Sequence, residues 1–435
     1  MKSSQWAEKV LPQSVLHPSV GFGQHLEKTL QKDPERARRE ILFAWKAQKA
    51  VFRHHPFPQL MPADQKLSEI MLSSMIEPLQ HPDCSCIVSI LTPCELVQEA
   101  GLLPYNVEGF SNCISATRCE RGCIQAAEQR GIPDTLCSYH KTFLGAAGLG
   151  LLPAPKCIVY TSLSCDANLL SFPSLQKQYD VPAFFLDVPM TPSEEAVEYV
   201  AQELQDLKPF LEEVSGHRIS EEDLCARVAR SHRTQQNLIR YQTLRADKTV
   251  GADLCTPLYT AITNNILLGT EEMEQYSEQL MKDIAGQPPK EGLHLYWMHS
   301  IPYWSDALKA ELRFSDRAQI VGCDMGELGF VPFDPTKPYE AMARRLVYNG
   351  MNGPASRRIQ RGIEQAKRAG ADGVIWFDHW GCKRTLGTAL LSKTAFEEAG
   401  LPLLILDGDG CDHSHGGEGQ TATRLEAFLE MLEQS

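Results

Sequence analysis

The chain has 435 residues, 43% hydrophobic and 22% charged, an ordinary globular balance that excludes a disordered or fibrous protein. At about 150 residues per domain it has room for roughly two to three domains. A formal net charge of −13 argues against a general nucleic-acid binder, since phosphate contacts need a basic surface, but says little about a small anionic ligand.

The N-terminus, MKSSQWAEKVLPQSVLHPSVGFG, lacks the apolar core of a signal peptide. The longest apolar stretch, Phe143–Pro155, covers 13 residues and is interrupted by glycine and proline. A membrane helix needs about 20. The expectation is a cytoplasmic protein with no membrane partner. Its 14 cysteines then stay reduced, and in that compartment such residues more often bind metal or act catalytically than pair as disulfides.

In chain order, residues 1–78 read as a helical N-terminal segment. Asp33–Val51 carries apolar residues at helical spacing, behind an aspartate suited to the N-cap. Residues 79–192 read as a first α/β domain, with strands at Cys86–Leu91, Ile158–Leu163 and Ala183–Val188, each followed by a turn and a polar helical stretch. A charged helical connector follows at 193–288. A second α/β domain at 289–435 has strands at Leu293–His299, Ile320–Cys323, Gly373–Phe377 and Leu403–Leu406. The fold class expected is α/β with two parallel-sheet domains, without an internal sequence repeat.

The positions of the cysteines matter more than their number. Cys165, Cys323 and Cys382 fall just past the carboxyl ends of expected parallel strands, the edge where open α/β sheets bind ligands. Cys137 opens a helical stretch, where the dipole and free N–H groups favour a thiolate. There is no C-x₂-C pair, and Cys84, Cys86, Cys113, Cys119 and Cys123 do not make the paired knuckles of a structural zinc site. Single ligands gathered from distant loops suit an iron–sulfur cluster held between two domains.

Three segments resemble the 2-hydroxyacyl-CoA dehydratase family, over roughly residues 80 to 435. These are Thr92–Pro104 (TPCELVQEAGLLP), Ser162–Pro189 (SLSCDANLLSFPSLQKQYDVPAFFLDVP) and the C-terminal stretch from ADGVIWFDHWGCKR to the Gln420-x₃-Arg424 tail. The family includes dehydratase subunits, benzoyl-CoA reductase subunits and double-cubane cluster proteins. The resemblance implies two flavodoxin-like (Rossmann-like) domains and a [4Fe–4S] cluster on Cys137, Cys165 and Cys382. It also implies a radical elimination of water from a 2-hydroxyacyl-CoA. An ATP-dependent iron–sulfur activator would deliver one electron to the thioester carbonyl, and the ketyl radical formed would expel the 2-hydroxyl.

A paralogous subunit or a second copy would complete a dimer. The chain carries no G-x-x-x-x-G-K-[ST] loop of its own, in keeping with a separate ATPase. Cys113 and Cys323 match positions where the double-cubane branch carries further ligands, so a double-cubane [8Fe–9S] reductase is the alternative. The turn Val347–Arg358 has no cysteine for a sixth ligand, and Cys119, Cys123 and Cys411 stay open for that role. A non-catalytic partner subunit is a third reading, and a zinc or corrinoid-linked protein a fourth.

Glu95 matches the family glutamate and is the candidate catalytic acid–base group, or else a carboxylate at a helix start. His140, Lys141, Lys383 and Arg384 beside the cysteines could lower thiolate pKa values or meet CoA phosphates, or lie on solvated surface. The run Asp407–His415 reads as a solvated loop in preference to a divalent metal site. Gln420 and Arg424 read as an anchor or a cap.

Overall fold

Local capping chemistry sets many of the helix starts, and runs buried at nearly every position set most of the strands. The structure, a computed structural model, describes residues 18–251, 253–415 and 417–434; the leaderless reading of the N-terminus rests largely on residues outside these. After α1 (Pro18–Leu30), the Asp33 carboxylate accepts the Arg36 N–H over 2.9 Å. It thereby caps α2 (Pro34–His54), which buries Ala37, Ile41 and Trp45 along one face. α3 (Pro62–Gln80) is buried along most of its length.

The first sheet runs through β1 (Ser85–Val88), α4 (Glu95–Glu99), β2 (Leu103–Asn106), α5 (Val107–Ala116), α6 (Glu120–Gln129) and α7 (Ser138–Leu149). It continues through β3 (Cys157–Thr161), α8 (Asn168–Tyr179) and β4 (Ala183–Leu186). Its strands are parallel in the order β2-β1-β3-β4. β2 is the strand that pattern reading misses: LPYN has no β-branched residue, and its proline is tolerated because the strand lies at the sheet edge.

Four helices follow: α9 (Glu194–Ser215), α10 (Glu221–Leu244), α11 (Cys255–Ile266) and α12 (Glu271–Ala285). Ser193, Ser220 and Thr270 cap three of them through their hydroxyl oxygens. α11 and α12 pack on α3, so the N-terminal helices and the connector form one helical layer.

The second sheet repeats the first. Its elements are β5 (Leu293–Met298), α13 (Asp306–Leu312), β6 (Ala318–Cys323), α14 (Asp324–Glu327), α15 (Pro338–Val347) and α16 (Ala355–Arg368). Then come β7 (Gly373–His379), α17 (Lys383–Leu386), α18 (Ala389–Glu398), β8 (Leu403–Gly408) and α19 (Glu418–Glu433). The parallel order is β6-β5-β7-β8, the same topology as the first sheet, although the sequences carry no repeat. Tyr296, Met298, Val374 and Trp376 pack on one face, and Leu295, Trp297, Ile375 and Phe377 on the other. Both faces are covered, which is why β5 and β7 read as continuous apolar runs.

The fold is therefore α/β, two four-stranded parallel sheets of flavodoxin-like order. α15 crosses back to α9 and buries Ala341, Met342, Leu346 and Val347 in the core shared with the first sheet, which interlocks the two halves. No helix among the described residues is long and apolar enough to cross a membrane.

Candidate functional site

The carboxyl ends of the strands on either side of both topological switch points open on one cavity of about 390 Å³. The first half supplies Cys137 from the turn before α7, and Cys165 from the turn after β3. The second supplies Cys323 at the end of β6 and Cys382 after β7. Two backbone features bring these sulfurs in. Ser164 adopts a left-handed conformation (φ 71°) just before Cys165. Gly381 (φ 81°) presses against the Cys137 backbone, where a β-carbon would stand 2.7 Å from the Cys137 amide nitrogen. Only glycine allows that approach.

Buried polar side chains share the cavity with the thiols. His379 Nε2 lies 3.2 Å from Cys137 Sγ, and His140 Nε2 3.5 Å from Cys165 Sγ. Burial pushes His140 and His299 down to about 3, so both imidazoles are neutral at physiological pH. His299 follows β5 in a left-handed conformation (φ 84°). Its N–H donates to Asp324 over 2.7 Å, and Asp324 is held in turn by a bidentate, buried Arg358. Glu108, at the start of α5, is buried and its carboxyl is pushed up to about 7, although it accepts hydrogen bonds from the Ile90 N–H and the Asn106 amide. Asn112, one turn further along α5, leaves its Oδ1 buried without a partner among the described residues. The remaining wall is largely apolar, including Ile132, Leu136, Leu144, Leu258 and Ile301.

Burial is the main force raising the Cys137 thiol far above its ordinary range, with the neighbouring Cys165, Cys382 and Asp409 adding to it. This reverses the expectation that the helix start alone would favour a thiolate, because desolvation and like charges outweigh the dipole. Burial first, and then Cys382 and Glu108, push Cys165 up to about 12. Buried thiols such as Cys137 and Cys165 ionise only beside concentrated positive charge, which metal centres supply. Among the described residues no three His, Cys, Asp or Glu side chains crowd one point as ligands of a single ion would. A cubane offers a separate iron to each thiolate, so ligands spread around a cavity fit it where a lone ion would not.

A sequence model of the 2-hydroxyglutaryl-CoA dehydratase D-component matches residues 89–432. The chain belongs to this family. Within it, the chain is 19% identical to the (R)-phenyllactyl-CoA dehydratase alpha subunit of Clostridium sporogenes, over 78% of this chain and 87% of that one. It is 24% identical to the beta subunit of the same enzyme (79% and 90% covered). It is also 21% identical to the (R)-2-hydroxyisocaproyl-CoA dehydratase alpha subunit of Clostridioides difficile (79% and 88%). These relatives include an alpha and a beta subunit of one dehydratase, and this chain resembles each.

Of the residues singled out from sequence, Cys137, Cys165, Cys323 and Cys382 meet at the cavity. Cys113 is not among its lining residues; it lies buried in α5, its thiol pushed up to about 12 by burial. Nor is Glu95: its Oε1 accepts from Ser231 over 2.7 Å and from Arg345, a buried ion pair that forms no part of the cavity wall. The Asp407–His415 run is no solvated loop through its middle, since Asp409, Cys411 and Asp412 are buried. Asp409 Oδ1 accepts from the Cys411 and Asp412 N–H groups and from the Ser138 hydroxyl, and His413 lies 3.0 Å from both Ser115 Oγ and an Arg118 guanidinium nitrogen. The run thus ties the two halves together beside Cys137.

Lys141 is buried on Glu128, and Arg384 donates to the Met351 carbonyl, while Lys383 stays exposed at the cavity rim. Arg424 anchors α19 to β8 through Asp407 and the Ile405 carbonyl. Sequence reasoning assigned no role to Glu108, His299 or His379. The one available signal was a histidine three residues from a ligand-candidate cysteine, in CSYH and in HWGC.

Proposed function

We propose that this chain is an iron–sulfur subunit of 2-hydroxyacyl-CoA dehydratase type. Cys137, Cys165 and Cys382 would hold a [4Fe–4S] cluster with one iron left open to substrate. The observation that carries this reading is the meeting of three thiols, far apart in sequence, around one apolar cavity at the strand ends. A bound cluster would supply the single low-potential electron that turns a thioester carbonyl into a ketyl radical, from which the 2-hydroxyl leaves and beside which the β-proton becomes acidic.

The chain's own residues supply binding and proton handling. The apolar wall excludes water and suits an apolar acyl group. Asn112 Oδ1 offers an acceptor to a hydroxyl. Glu108, with its carboxyl near pH 7, is poised to take or return a proton; Glu95, engaged with Arg345, serves packing on this reading. Exposed Lys383 at the rim is placed to meet a CoA phosphate. The partners on this reading are an ATP-dependent activator and a paralogous subunit or second copy, all in the cytoplasm.

The test is iron and acid-labile sulfide per chain on anaerobically prepared protein, beside Cys165→Ser and Cys382→Ser. About four irons, lost in both variants, is the expected result. Iron retained by both variants, or none bound by the parent chain, refutes the reading. Cys323 at the cavity favours one second reading, a double-cubane reductase, for which the iron count would double.

A further inference from the structure

Beyond holding a cluster, the residues around the three cysteines carry a second pattern. Each sulfur faces a side-chain group able to donate a hydrogen bond, each from a different element. His379 Nε2 lies 3.2 Å from Cys137 Sγ, His140 Nε2 lies 3.5 Å from Cys165 Sγ, and the Thr385 hydroxyl donates to Cys382 Sγ over 3.0 Å. A histidine next to a sulfur can donate or accept, and the backbone decides for His379. The Gly410 N–H donates to His379 Nδ1 over 3.1 Å. A backbone N–H can only donate, so Nδ1 is bare, and a neutral ring carries its proton on Nε2, aimed at Cys137.

The ring is held there by its neighbours, with Tyr139 edge-on at 5.3 Å and His299 stacked at 5.9 Å. On His140 the Ser171 hydroxyl lies 2.9 Å from Nδ1, and donating its proton there leaves the Nε2 proton for Cys165, while Phe143 flanks the ring at 4.9 Å; a hydroxyl also accepts, so only His379 has its proton fixed by the backbone. The His379 donor also crosses between the halves of the molecule, since β7 belongs to the second sheet and Cys137 to the first.

We infer that His379, His140 and Thr385 are positioning residues that form a donor shell, which sets the reduction potential of the cluster held by Cys137, Cys165 and Cys382. This rests on the cluster reading above and deepens it. An N–H or O–H donated to a ligand sulfur withdraws charge from it and stabilises the more negative, reduced cluster, raising the potential. Two demands bound that potential. The cluster must be reducible by a partner, yet still reducing enough to load an electron onto a thioester.

The test compares His379→Leu with His379→Gln, which keeps an N–H donor, and Thr385→Val with Thr385→Ser, which keeps the hydroxyl. Iron and sulfide per chain are measured first, and then the midpoint potential by a titration followed by electron paramagnetic resonance. Full loading is expected in all four. The potential should shift negative in His379→Leu and Thr385→Val, and return toward the parent value in His379→Gln and Thr385→Ser.

Independently of any cluster, ¹⁵N NMR of the His379 ring in the iron-free full-length chain is expected to find Nδ1 bare and Nε2 protonated. Thr385→Val is nearly isosteric and keeps the test alive if His379→Leu fails to fold. Loaded variants with an unshifted potential, or a proton found on Nδ1, would overturn the inference and leave the cluster reading standing. A parent chain that binds no iron overturns both.

Discussion

Gly381 is the hinge on which the meeting of Cys137 and Cys382 depends, and Gly381→Ala tests whether that meeting is as tight as the geometry requires. The new β-carbon would stand 2.7 Å from the Cys137 amide nitrogen and 2.8 Å from its α-carbon, while ordinary contact begins near 3.4 Å. Both obstacles are backbone, so no side chain can swing away. The turn after β7 and the turn before α7 must part by about 0.7 Å, beyond the roughly 0.5 Å within which a functional constellation holds its geometry.

Alanine at φ 81° adds about 1–2 kcal/mol of left-handed strain, and overpacking adds about 1–3 kcal/mol. The expected loss is therefore about 2–5 kcal/mol of folding stability, accompanied by poorer iron retention. Urea denaturation of the iron-free chain reads the first and iron per chain the second. An alanine variant with parent stability and full iron would refute the claim that these two loops are in obligatory contact.

Four further outcomes are expected. Burial first, and then neighbouring Asp283, push the Asp64 carboxyl up to about 7, so the folded state keeps a proton that the unfolded chain releases near pH 4. Stability from this group is therefore lost as pH rises from about 4 to 7, at about 1.4 kcal/mol per pH unit at most. Asp64→Asn should match the parent at pH 4 and exceed it by a few kcal/mol at pH 8 in urea titrations, and equal stability at both pH values would count against it. Arg345→Met leaves the buried Glu95 carboxylate uncompensated and should cost about 3–5 kcal/mol, largely recovered when Glu95→Gln is added, with iron content unchanged; iron lost without loss of stability would return Glu95 to the site. Asp409→Ala strips an acceptor from two backbone N–H groups and from Ser138, beside Cys137, and should cost about 1–3 kcal/mol and lower iron retention, with Asp409→Asn milder on both measures. Cys113→Ser should leave iron per chain unchanged, since Cys113 does not line the cavity, whereas loss of iron would place it in the site after all.

Much of the architecture is written locally. Among the described residues seven of the eight strands are legible, chiefly because a parallel strand covered on both faces is a run of apolar residues, as in LHLYWM and GVIWFDH. Asp33 and Ser193 mark helix starts for the chemical reason that their side-chain oxygens accept free N–H groups there. The cysteines just past strand ends were visible too, because strand ends were. β2 was not, since LPYN is recruited by pairing with β1 and not by its own preference.

Which cysteines share a cavity was decided only in three dimensions. Cys113 and Cys323 carried equal standing in the sequence, yet one is locked in the helix α5 and the other ends a strand that opens on the cavity. Glu95 and Glu108 are likewise both buried carboxylates near helix starts; a partner 250 residues away claims the first and leaves the second facing the cavity. The same holds for His379, whose proton is fixed by Gly410 and whose sulfur partner is 242 residues away. Propensity and capping act over a few residues and so survive in the string of letters. Convergence at a site depends on how two sheets without sequence repetition bring their carboxyl ends to one cavity, and long-range packing alone determines that.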